Sequence, residues 1–362
     1  MKKTAIIFCE GHFGRMDGKT ANGLIRSSRN YKIVGVIDST KAGKDTGEVL
    51  EGVKNGIPLY SSMENALENL NEVPDQFIYG IAPSEAFLKI EERNMVLYAM
   101  EQGMNIVNPL HEFFTLDEEF VNCAERNNVE IIDIRKPALK KDLHLFSGRI
   151  LDIETPVVAV LGTDSAVGKR TTSVILETAL LEEGLNVAFV ATGQTGLIQG
   201  AKYGVAIDAL PSQFLTGEIE NQVMRAYDNE KPDIIIVEGQ GALSHPAYIS
   251  SCGIIRGSRP GAVIVQHPPK RKNLGDFSYM PMPTISSEIE LIENFSKSKV
   301  IAVTINHENM SDKEISDVIT EYEKDLQLPT TDVLKHGCDK LVSSIFERFP
   351  LLKNKRKKVG VN

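Results

Sequence analysis

Three things are scarce in this chain, and each scarcity removes a class of function. Cysteine is the first: the 362 residues hold 4, at Cys9, Cys123, Cys252 and Cys338, and no two of them form a Cys-x-x-Cys pair. That scatter offers neither a zinc site nor a disulfide framework and fits reduced thiols. Long apolar runs are the second. No stretch approaches the ~20 apolar residues of a membrane span. Met1-Lys2-Lys3 leads into a short apolar strand rather than into a signal peptide. A cytoplasmic protein without membrane association is therefore expected. Excess positive charge is the third: 40 Lys and Arg stand against 49 Asp and Glu, a net charge of −9, which argues against a nucleic-acid partner. The dense basic cluster Lys353, Lys355, Arg356, Lys357 and Lys358 follows Pro350 and reads as a solvated tail over 351–362.

What is present is an ordinary globular composition, 42% hydrophobic and 25% charged, in a chain long enough for two domains. The first half opens with the apolar run Thr4 to Phe8, the turn Cys9-Glu10-Gly11-His12-Phe13-Gly14, a helix through Leu24 and Ile25, and a second run ending at Ile37-Asp38. This β-α-β pattern is Rossmann-like, although Gly11-x-x-Gly14 lacks the three-glycine spacing that admits a dinucleotide. The expectation here is that the glycines only make the turn and that Asp38 caps a helix or faces water. Further runs at 57–60, 76–81, 106–107 and 129–133 alternate with helical segments such as 63–70 and 90–100, which predicts a parallel sheet covered on both faces. The pattern lapses after Lys136. The reading is a Rossmann-like domain over 1–140, a linker over 141–155 and a second domain over 156–350.

That second domain opens on the stretch around which the chain is organised. The run Val157 to Leu161 drives into Gly162-Thr163-Asp164-Ser165-Ala166-Val167-Gly168-Lys169, and helical spacing follows as far as Gly184. Strand, glycine-bounded loop and helix make a phosphate cradle. Loop N–H groups and the positive end of the helix face a pyrophosphate, and Lys169 adds a point charge. Five residues separate the two glycines, a variant of the P-loop that is similar to the loop of dethiobiotin synthetase. The residue after Lys169, where a nucleotide hydrolase carries the Mg²⁺-binding hydroxyl, is Arg170, with Thr171 about 100° further round the helix. Gly162, Thr163, Asp164, Gly168, Lys169, Arg170 and Thr171 are thus the expected pyrophosphate site, and the metal is left open.

Strand candidates at 157–161, 187–191, 233–237, 262–265 and 300–305 each end in polar or glycine-rich residues. In an open α/β sheet those ends gather at the carboxyl edge, where ligands bind. Glu238 closes a Walker-B-like strand and is a candidate base or metal ligand, and His245 lies seven residues beyond it. Gln194 and Thr195 follow another strand and are candidate substrate contacts. Arg256, Arg259, Lys270, Arg271 and Lys272 form a second basic group, from which Arg256 and Arg259 are expected to meet a carboxylate. Asn306 stands at the last strand end and is a candidate cofactor contact, near the adenine if the chain is an ATP-dependent ligase resembling dethiobiotin synthetase.

On the motifs Gly162 to Thr172, Thr192 to Gly196, Val237-Glu238-Gly239-Gln240-Gly241 to Tyr248, and Gly11 to Thr20 with Val36-Ile37-Asp38, the chain resembles the D-glutamate N-acetyltransferase-like family, formerly a domain of unknown function. The resemblance covers nearly the whole chain. It implies two parallel-sheet α/β domains, Rossmann-like and then P-loop, with acetyl transfer from acetyl-CoA to the amine of D-glutamate. Glu238 or His245 would be the base, and loop N–H groups or Lys169 would hold the oxyanion. An ATP- and Mg²⁺-dependent ligase or kinase resembling dethiobiotin synthetase and a nucleotide-binding regulator are the competing readings. In each case the expected partners are small molecules, and a homo-oligomer is expected.

Overall fold

The computed structural model describes residues 2–82 and 88–356. It divides into two compact units, Met1–Pro137 with Gln194–Gly200, and Ala138–Gly193 with Ala201–Asn362.

The first unit carries strands β1 (Lys3–Phe8), β2 (Tyr31–Ile37), β3 (Leu59–Tyr60), β4 (Gln76–Tyr79), β5 (Asn105–Asn108) and β6 (Ile131–Asp133). They pair in parallel in the order β3-β2-β1-β4-β5-β6, the Rossmann order. β1 is central because Ala5, Ile6 and Ile7 are wholly buried and can be covered on both faces. Its carboxyl end runs into the glycine turn, and the Asp38 carboxylate fills that turn. Its oxygens accept from the N–H groups of Gly11 at 3.2 Å and Phe13 at 3.1 Å, and from the Thr40 N–H at 3.0 Å. The donors that would face a pyrophosphate in a dinucleotide site are spent on this side chain. Asp38 also caps the short 3₁₀ turn Ser39–Lys41, in line with the capping role read from the sequence.

In the second unit the strands are β7 (Val157–Gly162), β8 (Val187–Ala191), β9 (Tyr203–Gly204), β10 (Ile234–Glu238), β11 (Ala262–His267), β12 (Lys299–Ile305) and β13 (Thr330–Thr331). Their order is β13-β12-β11-β7-β10-β8-β9, again all parallel. The five expected strands are present, and the structure adds β9 and β13. Two-residue edge strands are too short to show any periodicity. β7 lies between β10 and β11, with Glu238 level with Val160 and Gln266 level with Gly162. That register brings the ends of three strands to one place on the carboxyl edge.

Three expectations about the chain's organisation are corrected. Residues 194–200 were read as part of the second domain, yet the helix Gln194–Gln199 belongs to the first unit. The Gln199 side-chain amide donates to the carbonyls of Gly23 at 2.8 Å and Ser27 at 2.9 Å, and the Thr195 and Thr20 hydroxyls meet at 3.0 Å. The expected linker is also no free connector. The His144 N–H donates to Glu218 at 2.6 Å, while Ser147 and Ile150 donate backbone N–H groups to Glu220 at 2.5 and 3.2 Å. This stretch is strapped to the helix Ser212–Glu230 of its own unit. The start of the expected tail is likewise held: Leu352 is buried, Lys355 lies 3.4 Å from Asp233, and Arg356 pairs with Glu183. Lys357 and Lys358 lie outside the described residues.

Candidate active site

The centre of the second unit is the loop between β7 and the helix Lys169–Glu182. Its last residue, Gly168, has φ +110°, a conformation that favours glycine and turns the chain directly into the helix. The helix's first N–H groups therefore point back into the loop. Lys169 is 5% exposed, and its ammonium donates to the Asp164 carbonyl of its own loop. To reach a bound phosphate it must leave that carbonyl.

The loop is braced from the ends of β11 and β12. The Thr163 hydroxyl lies 2.8 Å from His267 Nδ1, and the Thr172 hydroxyl donates to Gln266 Oε1 at 2.6 Å. Burial, followed by the Arg271 charge, pushes the His267 pKa down to about 4, so this imidazole is neutral at physiological pH. Asn306 donates from its side-chain amide to the Val167 carbonyl at 3.0 Å, so its amide is committed to shaping the loop. Thr171 is half-buried beside the fully enclosed Thr172.

Asp164 is buried and accepts from the Ser165 N–H at 2.7 Å, Arg271 Nη1 at 2.8 Å and the Gly275 N–H at 2.8 Å. Arg271 simultaneously grips Glu308 with Nε and Nη2, each at 2.8 Å. Of the five cations in the second basic group, Arg271 is the one locked against the phosphate loop. Arg256 and Arg259, expected to meet substrate, are placed elsewhere. Both are exposed, Arg256 over the Phe295 ring at 5.1 Å and Arg259 at the end of the helix Ser250–Ser258. That helix runs back toward the amino end of β11, away from the ligand edge. Chain position relative to β11 separates the two cases: Arg271 comes four residues after that strand, whereas Arg256 and Arg259 precede it.

Glu238, at the end of β10, is 5% exposed and accepts from the N–H groups of Thr192 at 2.9 Å and Gly193 at 3.3 Å. Burial pushes its carboxyl above the usual range, although Arg170 and Lys169, with those two N–H groups, pull it back. A carboxylate with a raised pKa is a better base at neutral pH. The next residue is Gly239, where any Cβ would run into the Val160 carbonyl. Gln240 then donates to the Thr192 carbonyl at 2.6 Å. His245 returns over the loop, with its ring stacked on Tyr248 at 4.4 Å and Nε2 3.6 Å from Asp164 Oδ1. Gln194 and Thr195 belong to the first unit. They are buried there, and the Thr195 hydroxyl is spent on Thr20. Among the described residues no group of three or more His, Cys, Asp or Glu side chains is placed to hold a metal ion. Nor is any helix there long and apolar enough to cross a membrane.

Fold and site together define a two-domain α/β protein, Rossmann-like in its first half and P-loop in its second. Residues 39–137 match the Rossmann-like domain, and residues 144–342 the P-loop domain, of the domain of unknown function DUF1611. The chain belongs to this family, the D-glutamate N-acetyltransferase-like proteins. It is 32% identical over 278 residues to a D-glutamate N-acetyltransferase of Pseudoalteromonas, covering 74% of this chain and 80% of that protein. A second protein of that name, from Tritonibacter scottomollicae, is 25% identical with the same coverage of each chain. The crystal structure of a DUF1611 family protein from Anabaena variabilis superposes with a TM-score of 0.87 at 30% identity, over 96% of this chain and all of that one.

Proposed function

We propose that this protein is an N-acetyltransferase that moves an acetyl group from acetyl-CoA to the amine of D-glutamate or a related amino acid. One observation carries the reading beyond the relatives' names: a phosphate loop and a buried, proton-hungry Glu238 share one sheet edge, with Arg170 where a Mg²⁺-binding hydroxyl would stand. Coenzyme A supplies a pyrophosphate that needs no bridging metal when loop N–H groups, Lys169 and Arg170 surround it. Glu238 takes a proton from the acceptor's ammonium group. The freed amine then forms a bond to the thioester carbon, the C–S bond breaks, and the thiolate leaves with the electron pair and takes up the proton that the newly acylated nitrogen sheds. A positioned hydrogen-bond donor must offset the charge that develops on the carbonyl oxygen.

The test is direct. Purified protein supplied with acetyl-CoA and D-glutamate should release free CoA and N-acetyl-D-glutamate in equal amounts. Absence of any acetylated product across a panel of D- and L-amino acids would refute the proposal.

A further inference from the structure

His245 was read from the sequence as a possible base, but its surroundings suit the opposite task. The Ala247 N–H donates to Nδ1 at 3.2 Å, which makes Nδ1 an acceptor and places the proton of the neutral ring on Nε2. Burial holds the imidazole below its ordinary pKa against the pull of Asp164 and Asp276, and Lys169 pushes in the same direction as burial. The ring therefore remains neutral while Nε2 keeps its hydrogen.

Among the described residues that hydrogen has no acceptor. The His245 side chain is wholly buried, and among the described residues Nε2 has no hydrogen-bond partner. The nearest carboxylate oxygen, Asp164 Oδ1 at 3.6 Å, already receives the Ser165 N–H, and its twin oxygen is held by Arg271 and Gly275. A buried, unpaired N–H costs free energy, and such groups in folded proteins are exceptions that call for a reason. Here the reason lies in position. The ring sits between Tyr248 at 4.4 Å and Phe277 at 5.7 Å, which fix its plane, and it is close enough to Lys169 to feel its charge. His245 and Glu238 also come from one connection, so the strand end that supplies the base supplies this donor too.

We propose that His245 is a catalytic residue that donates its Nε2 hydrogen bond to the thioester oxygen as it becomes an oxyanion. The inference rests on the acetyl-transfer reading above. The proton stays on Nε2 throughout: the amine's bond to carbon pushes the carbonyl π pair onto oxygen, and the pair returns as the C–S bond breaks. A neutral donor of this kind strengthens its bond as charge grows on the acceptor, so its effect falls on the transition state more than on binding.

Two variants separate donor from base. H245F keeps a ring to stack on Tyr248 and loses both nitrogens, whereas H245Q keeps an N–H near the Nε2 position. Removing the donor should lower kcat of H245F by about 10²–10³-fold, with acetyl-CoA affinity and melting temperature close to wild type, and H245Q should recover a large part of that loss. In ¹⁵N spectra of the ligand-free wild type near neutral pH, Nδ1 of His245 should be unprotonated and Nε2 protonated. A protonated Nδ1, an H245Q as slow as H245F, or an H245F that loses affinity at unchanged kcat would each overturn the assignment while wild-type acetylation still stands. A wild type that acetylates no amino acid would overturn the acetyl-transfer reading and this inference with it.

Discussion

Under the proposed reaction Lys169 serves binding and Glu238 chemistry, and each role can be tested by a substitution that spares the other's task. The Lys169 ammonium donates to the Asp164 carbonyl of its own loop. Lys169→Ala should weaken CoA binding by about tenfold or more, as expected for loss of a cation from a phosphate cradle. The melting temperature should stay within a few degrees. Unchanged CoA affinity, measured by calorimetry, would remove the phosphate-site assignment. Glu238→Gln should lower kcat by roughly 10²–10⁴-fold, the range for a general base, at nearly unchanged acetyl-CoA affinity. The pH dependence has a definite sign. A base must be deprotonated, and burial raises this carboxyl, so kcat/KM should fall as pH drops through a value above the ordinary glutamate range. The same upward shift means the native state holds this proton more tightly than the unfolded chain. Its contribution to stability therefore declines as pH rises from the ordinary value toward the raised one, and Glu238→Gln should remove that slope.

At the level of single elements the central strands were legible from the sequence because their runs are apolar and bounded by glycine or polar residues. Val157 to Gly162 is the clearest case, buried along its whole length. The glycine turn after β1 shows how a motif can be read correctly as a turn and still tempt a ligand assignment. Gly11 and Gly14 do turn the chain, and the acid at the end of β2 does meet the turn, but it meets it as a capping group. Asp38→Ala would leave two buried or half-buried N–H groups and the Thr40 N–H without an acceptor. It should cost about 2–6 kcal/mol of stability, since each of the two stranded donors shielded from water costs about 1–3 kcal/mol while the exposed Thr40 N–H can turn to solvent. Asp38→Asn, which keeps one acceptor oxygen, should cost less. Chemical denaturation checks both, and saturable NAD binding by the wild type would contradict the capping role. The helix Gln194–Gln199 and the strap around His144 were not legible, because their placement depends on hydrogen bonds to residues 70 or more positions away: Gln199 to Gly23, and His144 to Glu218. No local period encodes such pairings. Arg271 was visible only as one of five cations, although its place just beyond β11 held the signal that separated it from Arg256 and Arg259.

For the whole molecule, both sheets are parallel, yet their carboxyl edges have different fates. In the first unit Asp38 closes the edge at β1 with its own carboxylate. In the second, Thr163, Asp164, Lys169, Glu238 and His245 gather where β7, β10 and β11 end. The fold and the phosphate loop were readable as a whole because a P-loop is contiguous in sequence. The bracing of the loop by Arg271, Gln266 and Asn306 arises only when separate strand ends meet. The account's central claim is that this loop holds acetyl-CoA without a metal and presents its thioester to an amine. It is tested most directly by following free thiol and nucleotide products side by side, with acetyl-CoA and D-glutamate in one arm, ATP and D-glutamate in the other, and each run with Mg²⁺ or with EDTA. Thiol release should need both acetyl-CoA and D-glutamate and should be the same with Mg²⁺ as with EDTA. Release of ADP or phosphate that requires Mg²⁺, with no thiol formed, would contradict it and make the protein an ATP-dependent ligase or kinase.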